Sequence, residues 1–303
     1  MQHHSATWAL FAPVLVVSAA PTPASAQEEV SRSIEPVAQD LYRWTSGSYR
    51  SMFLVHEDGI VVTDPLNAEA ARWLKGQLEE RYPGKPVSHL IYSHDHPDHT
   101  YGASELADED TLVVSQRLAR NTLVETKAQT LVPTVVFDER MTLLPDWDQE
   151  IRLRYHGSNN GRGSISMMFR PQNVLHIVDW VVIGRLPYRN LKGYDLPGMI
   201  ESTRQVLELD FDRFVGGHAE MGHKDDVRRY LGYLEALHDG VRDGILAGHS
   251  LDRIKRDVAL SDYSDLAHFE EWRELNIEGA YNQLVDGAYM LMRPDVPKPP
   301  DSE

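Results

Sequence analysis

The sequence predicts an α/β sandwich, with sheets within and helices outside. Three observations predict it. Apolar or alternating runs of strand length recur through the first two thirds. Runs with apolar residues three and four apart lie between them in both halves. The last third is helical in pattern throughout. The 303 residues are 42% apolar and 25% charged, an ordinary globular composition with ample material for a buried core.

After a polar lead-in, strands are expected at 41–44, 51–56 and 60–63, with Asp58-Gly59 as the hairpin turn between the last two. Asn67 has the chemistry of a helix N-cap, and Ala71, Leu74, Leu78 and Tyr82 share one face of the helix that follows, which ends at Pro83-Gly84. A strand at 87–92 runs into the polar stretch 93–100. Further strands are expected at 111–115, 135–138, 151–155, 164–169, 173–178 and 213–215, with helices at 116–125 and around Ile200, Thr203, Val206 and Leu207. Val227, Tyr230, Leu234, Leu237, Val241 and Ile245 define a long helix, and Ile277, Ala280, Tyr281, Leu284 and Ala288 another. Residues 293–303 are Pro-rich and charged, which predicts a disordered tail. No linker or fixed-period repeat divides 27–292, so one domain is expected there.

Residues 8–20 are apolar and are followed by Pro21, Pro23 and Ala24-Ser25-Ala26, the pattern of a secretory signal peptide over 1–26, although no Lys or Arg precedes it. The run is too short for the roughly 20 residues of a spanning helix, and no later segment is long and apolar enough. The expected location is the periplasm. Thirty Lys and Arg against 46 Asp and Glu leave a net charge of −16, a surface that repels nucleic acid. The absence of Cys excludes disulfides, iron–sulfur clusters, zinc ribbons and thiol nucleophiles.

Chemistry concentrates at SHDHPDHT, 93–100. Three imidazoles and a carboxylate at a strand end cannot be buried without a partner for every nitrogen. The His-x-His-x-Asp-His spacing suits metal ligation. His94 and His96, two apart in extended chain, can share one ion; Asp98 and His99, past the bend, can reach a second.

Here the sequence resembles the metallo-β-lactamase superfamily, and five matches fall in order: VVTD at 61–64, LIYSHDHPDHTYG at 90–102, GSNNGRGS at 157–164, VLHIVD at 174–179 and GGHA at 216–219. The resemblance implies a four-layer αββα sandwich with a helical C-terminal portion and two metal ions, usually zinc, at one edge of the sheets. It makes Asp64 a structural residue, gives His94 and His96 to the first ion, Asp98, His99 and His218 to the second, and Asp179 to both. One position departs from the pattern. The third loop of the family reads roughly G-x-x-H-T-x-G, and Asn160 stands where its His is expected, with Asn159 the alternative if the loop is slipped by one. A neutral amide oxygen is a poorer zinc ligand than imidazole, so the first site should be the weaker, completed by Asn160, by water or by His156. Of the other histidines, His89 and His176 read as core or supporting residues and His223 as a helix cap or supporting residue, while His56, His238, His249 and His268 carry no signal.

Two zinc ions in this arrangement imply hydrolysis. Zinc lowers the pKa of bound water from 15.7 to about 7, and Asp98 is the residue expected to orient the hydroxide and take its proton. The expected substrate is a small cyclic amide or ester, with β-lactams foremost given export. Arg185 and Tyr194 are the expected substrate contacts, together with Arg189, Lys192 and residues 46–50. The lack of Cys excludes β-lactamase subclasses that need a Cys ligand. The charge disfavours the nuclease branches, and the missing third-loop His the iron dioxygenases. The alternative function is an accessory metallohydrolase or metal-binding protein of a periplasmic quinoprotein system.

Overall fold

The computed structural model describes residues 30–144, 148–286 and 289–298. The segment 1–26, expected to be a signal peptide, and the end of the tail, 299–303, lie outside the described residues. Ser31–Glu303 form one compact unit.

Among the described residues, the first sheet has seven strands in sequence order: β1 (Arg32–Ala38), β2 (Leu41–Ser46), β3 (Tyr49–His56), β4 (Gly59–Thr63), β5 (Val87–Ile91), β6 (Leu112–Gln116) and β7 (Val135–Phe137). Strands β1 to β4 are antiparallel and β4 to β7 parallel. The parallel half is threaded by α1 (Ala68–Arg81), the one-turn helices α2 (Pro97–Thr100) and α3 (Ala103–Leu106), and α4 (Arg117–Glu125). The second sheet contains β8 (Arg140–Leu143), β9 (Glu150–Tyr155), β10 (Ile165–Arg170), β11 (Val174–Ile177) and β12 (Arg213–Gly216), with β12 parallel to β11 and β8 at the opposite edge. The helices α5 (Leu196–Leu207), α6 (Lys224–Leu246), α7 (Leu251–Asp257), α8 (Phe269–Asp286) and α9 (Tyr289–Met292) complete the chain.

The period-2 pattern of the strands builds the four layers. Met52 and Leu54 of β3 face the second sheet and meet Leu153, Met167 and Phe169 in a buried inter-sheet core. Their neighbours Phe53 and Val55 point the other way, against Ala70, Ala71, Leu74 and Leu78 of α1. On the far side, Met168, Leu175 and Ile177 pack against Met199 and Val206 of α5, Leu234 of α6 and Ile277 of α8. Each such side chain contributes about 1.5–3 kcal/mol by leaving water. Asn67 caps α1, its Oδ1 accepting from Ala70 N at 3.0 Å.

Two strands lie where no strand is read from sequence. β1 carries Glu35 and Pro36, and β8 is only four residues with alternating exposure. Both are sheet edges, where one neighbour suffices and Pro costs no ladder bond. Within the tail, Val296 is 9% exposed and belongs to the helical core cluster. No described helix is long and apolar enough to cross a membrane.

Candidate metal centre

The C-terminal ends of β4, β5, β9, β11 and β12 open at one edge of the sandwich, and each delivers part of the site. Asp64 follows β4, and residues 93–99 follow β5. Asn160 lies in the loop after β9, Asp179 after β11, and His218 after β12. Pro97 starts the single turn α2 with His96 as N-cap, and that turn folds Asp98 and His99 back beside His94 and His96. Gly161 (φ +66°) lets the third loop press against the His96 ring, since a Cβ there would lie 3.2 Å from His96 Nε2 and 2.7 Å from Asp95 Oδ1. Asp64 and Asp179 hold left-handed backbone angles, φ 26° and 67°, the kind of strain that functional sites retain.

Two donor groups result. His94, His96 and Asp179 offer ligand atoms within 4.8 Å of one another, and so do Asp98, His99 and His218. Asp179 faces both. Its Oδ2 lies 3.1 Å from His94 Nε2 and 3.3 Å from His96 Nδ1, and its Oδ1 lies 2.8 Å from His218 Nε2 and 3.5 Å from His99 Nε2. Asn160 joins the first group, with its Nδ2 3.0 Å from Asp179 Oδ2 and its Oδ1 buried without a partner. A half-turn of that amide presents the oxygen to the site.

The groups behind the rings decide which nitrogens carry protons. Asp64 accepts from Ser93 N at 2.7 Å and from Ser93 Oγ at 2.6 Å. With its proton given to Asp64, Ser93 Oγ accepts from His94 Nδ1 at 2.8 Å. Asp64 Oδ2 also lies 3.4 Å from His99 Nδ1, close but not in an aligned hydrogen bond, and Ser48 O lies 3.3 Å from His218 Nδ1. In their neutral forms all three rings therefore keep the proton on Nδ1 and turn the Nε2 lone pair inward. There the lone pairs meet one another, with His99 Nε2 and His218 Nε2 3.1 Å apart, and meet the Asp179 carboxylate. His94 Nε2 and Asp179 Oδ1 are buried without an aligned hydrogen bond despite these short approaches. Positive charge must sit among these atoms, and the donor set fits divalent metal ions.

Titration follows the same field. Burial pushes Asp179 up, but the His99 and His94 charges outweigh it and hold the carboxyl well below the usual range. Burial lowers His94. It also opposes protonation of His99 and His96, yet Asp179 prevails in both, raising His99 strongly. Asp64, fully buried, is still held below its ordinary value, chiefly by the neighbouring His99.

His96, Asp98, Asn160, Asp179 and His218 form the floor of a cavity of about 570 Å³, with His94 and His99 buried beneath it. Arg185 and Tyr194, the expected substrate contacts, line it, as do Lys192, Ser48 and Tyr49. Arg189 instead stacks over Tyr188 at 5.1 Å, and Arg50 turns to Glu220 at 3.4 Å. The far wall holds residues that sequence reasoning missed. His268 stacks on Trp272 at 4.0 Å and 12°, Tyr188 meets Trp272 edge-on at 5.3 Å, and Arg185 lies 5.5 Å over the same indole. His268 and Trp272 precede and open α8, 50 and 54 positions beyond His218, and have no motif; only the chain's return past Arg185, where Leu186 N bonds Ala267 O, brings them in.

Two of the alternatives for the third ligand make other contacts. His156 is occupied elsewhere, its Nε2 with Ser166 Oγ at 2.7 Å and its Nδ1 with Gln205 Oε1 at 3.4 Å. Asn159 turns toward Ser202 and Gly157. His176 Nδ1 donates to Val215 O, His89 Nδ1 pairs with Ser88 Oγ, and His223 is the N-cap residue of α6, its N–H donating to Asp226.

The chain is 28% identical over 244 residues to the 2,4-dinitroanisole O-demethylase subunit alpha of Nocardioides sp. (strain JS1661), covering 80% of this chain and 71% of that one. Its fold matches a metallo-beta-lactamase from Pontibacter korlensis (TM-score 0.60, 16% identity, 68% of this chain and 99% of that one). It also matches the inverting sec-alkylsulfatase Pisa1 from Pseudomonas sp. (TM-score 0.70, 18% identity), covering 86% of this chain but only 51% of the sulfatase. Residues 45–218, which span every donor described above, match the model of the metallo-beta-lactamase superfamily, and the chain belongs to that family.

Proposed function

We propose that the protein is a metal-dependent hydrolase that cleaves a bond to oxygen in a small molecule bearing an aromatic ring and an anionic or strongly polarised group. The observation that carries this reading is the pairing of two His/Asp donor groups on the cavity floor with an aromatic and cationic far wall. Zinc suits a donor set of four imidazoles and carboxylates.

His94, His96 and Asp179, with Asn160 beside them, would hold one ion, and Asp98, His99 and His218, with Asp179, the other. Such ions supply, when bound, water acidified toward neutral pH and a Lewis acid for a substrate oxygen. The chain does the rest. Asp64 and Ser93 fix the His94 and His99 tautomers. Asp98, whose side chain is 43% exposed on the cavity floor, takes a proton from the attacking water and returns it to the leaving oxygen. Arg185 and Lys192, which have no ion-pair partner among the described residues, neutralise the substrate's negative charge. The Trp272–His268 stack and Tyr188 offer planar faces to a ring.

This wall favours an aryl ester or ether over the compact bicyclic amide of a β-lactam, in keeping with a relative named for O-demethylation of 2,4-dinitroanisole. The test is one panel: 2,4-dinitroanisole, 4-nitrophenyl acetate, 4-nitrophenyl sulfate and a chromogenic cephalosporin, with added zinc, with chelator, and with His96→Ala. The reading expects metal-dependent turnover of a nitroaryl substrate, lost on chelation and in His96→Ala. Turnover of the cephalosporin alone would restore the β-lactam expectation. No metal-dependent turnover on any of the four would favour an accessory, binding role.

A further inference from the structure

We propose that the outer face of the second sheet holds an oxyanion-binding pocket, distinct from the metal centre, built by Arg140, Arg154 and Arg170 around a cavity of about 220 Å³.

The strand pattern places these residues together. On β9, Leu153 points into the inter-sheet core, so Arg152 and Arg154 point out. In register with Arg154 are Arg140 on β8 and Ser166 on β10; in register with Arg152 are Thr142 and Met168. The helical core cluster takes side chains from β10 and β11 but none from β8 or β9. This part of the face is therefore left open, with Leu209 and Asp210, just beyond α5, at its rim.

The charges in this pocket are not balanced by the chain. Arg140 and Arg154 stand directly opposite one another, a like-charge cross-strand pair that destabilises a sheet. Among the described residues neither has a carboxylate within ion-pair distance. Arg154 Nη2 donates only to the neutral Gln205 Oε1 at 3.3 Å. Arg170 donates to Asn173 Oδ1 and to the Asp210 carbonyl, and its Nε is buried with no acceptor. Arg152 is paired with Glu150, and the Asp210 side chain is exposed. Four guanidinium groups against Glu150 and Asp210 leave a net charge of about +2 in a chain of −16 that has carboxylates in excess elsewhere. The floor adds no negative charge, because Ser166 Oγ is bonded to His156 Nε2 at 2.7 Å. The His156 imidazole is depressed by burial and then by the Arg154 and Arg140 charges, as expected beneath a positive field. Guanidinium groups on a rigid sheet suit the tetrahedral oxygens of phosphate or sulfate, with Arg140 and Arg154 offering N–H donors and Arg170, held by Asn173 and the Asp210 carbonyl, adding its charge. Met168 and Leu209 give a short apolar group on such an anion somewhere to lie.

The test uses the metal-loaded full chain, wild type and the Arg140→Gln/Arg154→Gln pair, with inorganic phosphate as the probe and chloride at matched ionic strength as the control. In calorimetry the variant should lose at least about tenfold in phosphate affinity while metal content and turnover stay unchanged. In thermal unfolding, phosphate at ten times its Kd should raise the wild-type Tm by about 3 °C and leave the variant unmoved. Without phosphate, Arg140→Gln alone should unfold no earlier than wild type, since it removes a repulsion. Two further arms identify the source of the anion: phenyl phosphate bound more tightly than phosphate indicates a small organic phosphate, and equal affinity indicates the free ion. Phosphate affinity equal in variant and wild type, a Tm rise reproduced by chloride, or binding only to phosphatidylglycerol vesicles would each overturn the proposal.

Discussion

His99 Nε2 and His218 Nε2 face each other at 3.1 Å, with Asp64 Oδ2 3.4 Å behind the first ring's Nδ1 and Ser48 O 3.3 Å behind the second's. Two lone pairs so placed repel unless a proton or a cation lies between them. Asp179 repeats the situation, with one carboxylate oxygen toward each donor group. These approaches are the physical reason for reading the cluster as a pair of cation sites rather than a hydrogen-bonded network, and the predictions below depend on them.

The two sites should differ in affinity. One has three imidazole or carboxylate donors from Asp98, His99 and His218 plus Asp179. The other relies on Asn160 where an imidazole would bind more strongly. Metal analysis after mild dialysis is expected to find about one ion per chain in the wild type, and two in Asn160→His. Two ions retained equally by the wild type would show that the amide is not a weak point.

Asp64 acts through other residues. It touches Ser93 and His99, and so sets the protons on two ligands without lying among the ligand atoms. Asp64→Asn should lower metal affinity 10- to 100-fold, the usual cost of losing such a support. A zinc-chelator competition titration measures it, and circular dichroism separates loss of metal from loss of fold.

Arg185 and Trp272 belong to the proposed substrate wall rather than to the bond-breaking groups. Arg185→Ala and Trp272→Ala should each raise KM about tenfold on a nitroaryl substrate while kcat changes less than about threefold, the signature of lost uniform binding. An equal fall in kcat and kcat/KM would move them into the transition state.

His156 gives a pH prediction. Burial pushes its imidazole down to about 4 in the folded chain, against an ordinary value near 6.5. Between those values the unfolded chain takes up a proton that the folded chain refuses. The contribution is therefore complete above about pH 6.5 and is lost as pH falls toward 4, by roughly 3 kcal/mol. Urea unfolding at pH 7.5 and pH 4.5 should show a smaller difference in His156→Gln than in wild type. An unchanged difference would place the acid sensitivity elsewhere.

Much of this arrangement is legible in the sequence because its signals are local. The spacing of His94, His96, Asp98 and His99, the Asn67 cap and the apolar run of β3 each fix structure within a few residues. Edge strands were harder to read, since β1 carries Glu35 and Pro36 and β8 is only four residues long, so neither shows the continuous apolar run that marks β3. The aromatic part of the cavity's far wall was invisible. His268 and Trp272 owe their place to the backbone bonds between Gly184, Leu186 and Ala267, a long-range pairing with no periodic trace. The opposition of Arg140 and Arg154 likewise depends on a register that sequence spacing does not specify.

The most direct test is anomalous diffraction from crystals grown with zinc in excess, with data collected on both sides of the zinc edge. The account predicts two peaks, roughly 3.5–4 Å apart. One should lie among His94, His96 and Asp179, and the other among Asp98, His99 and His218. Zinc absent from both groups, with their nitrogens joined instead by protons, would contradict it.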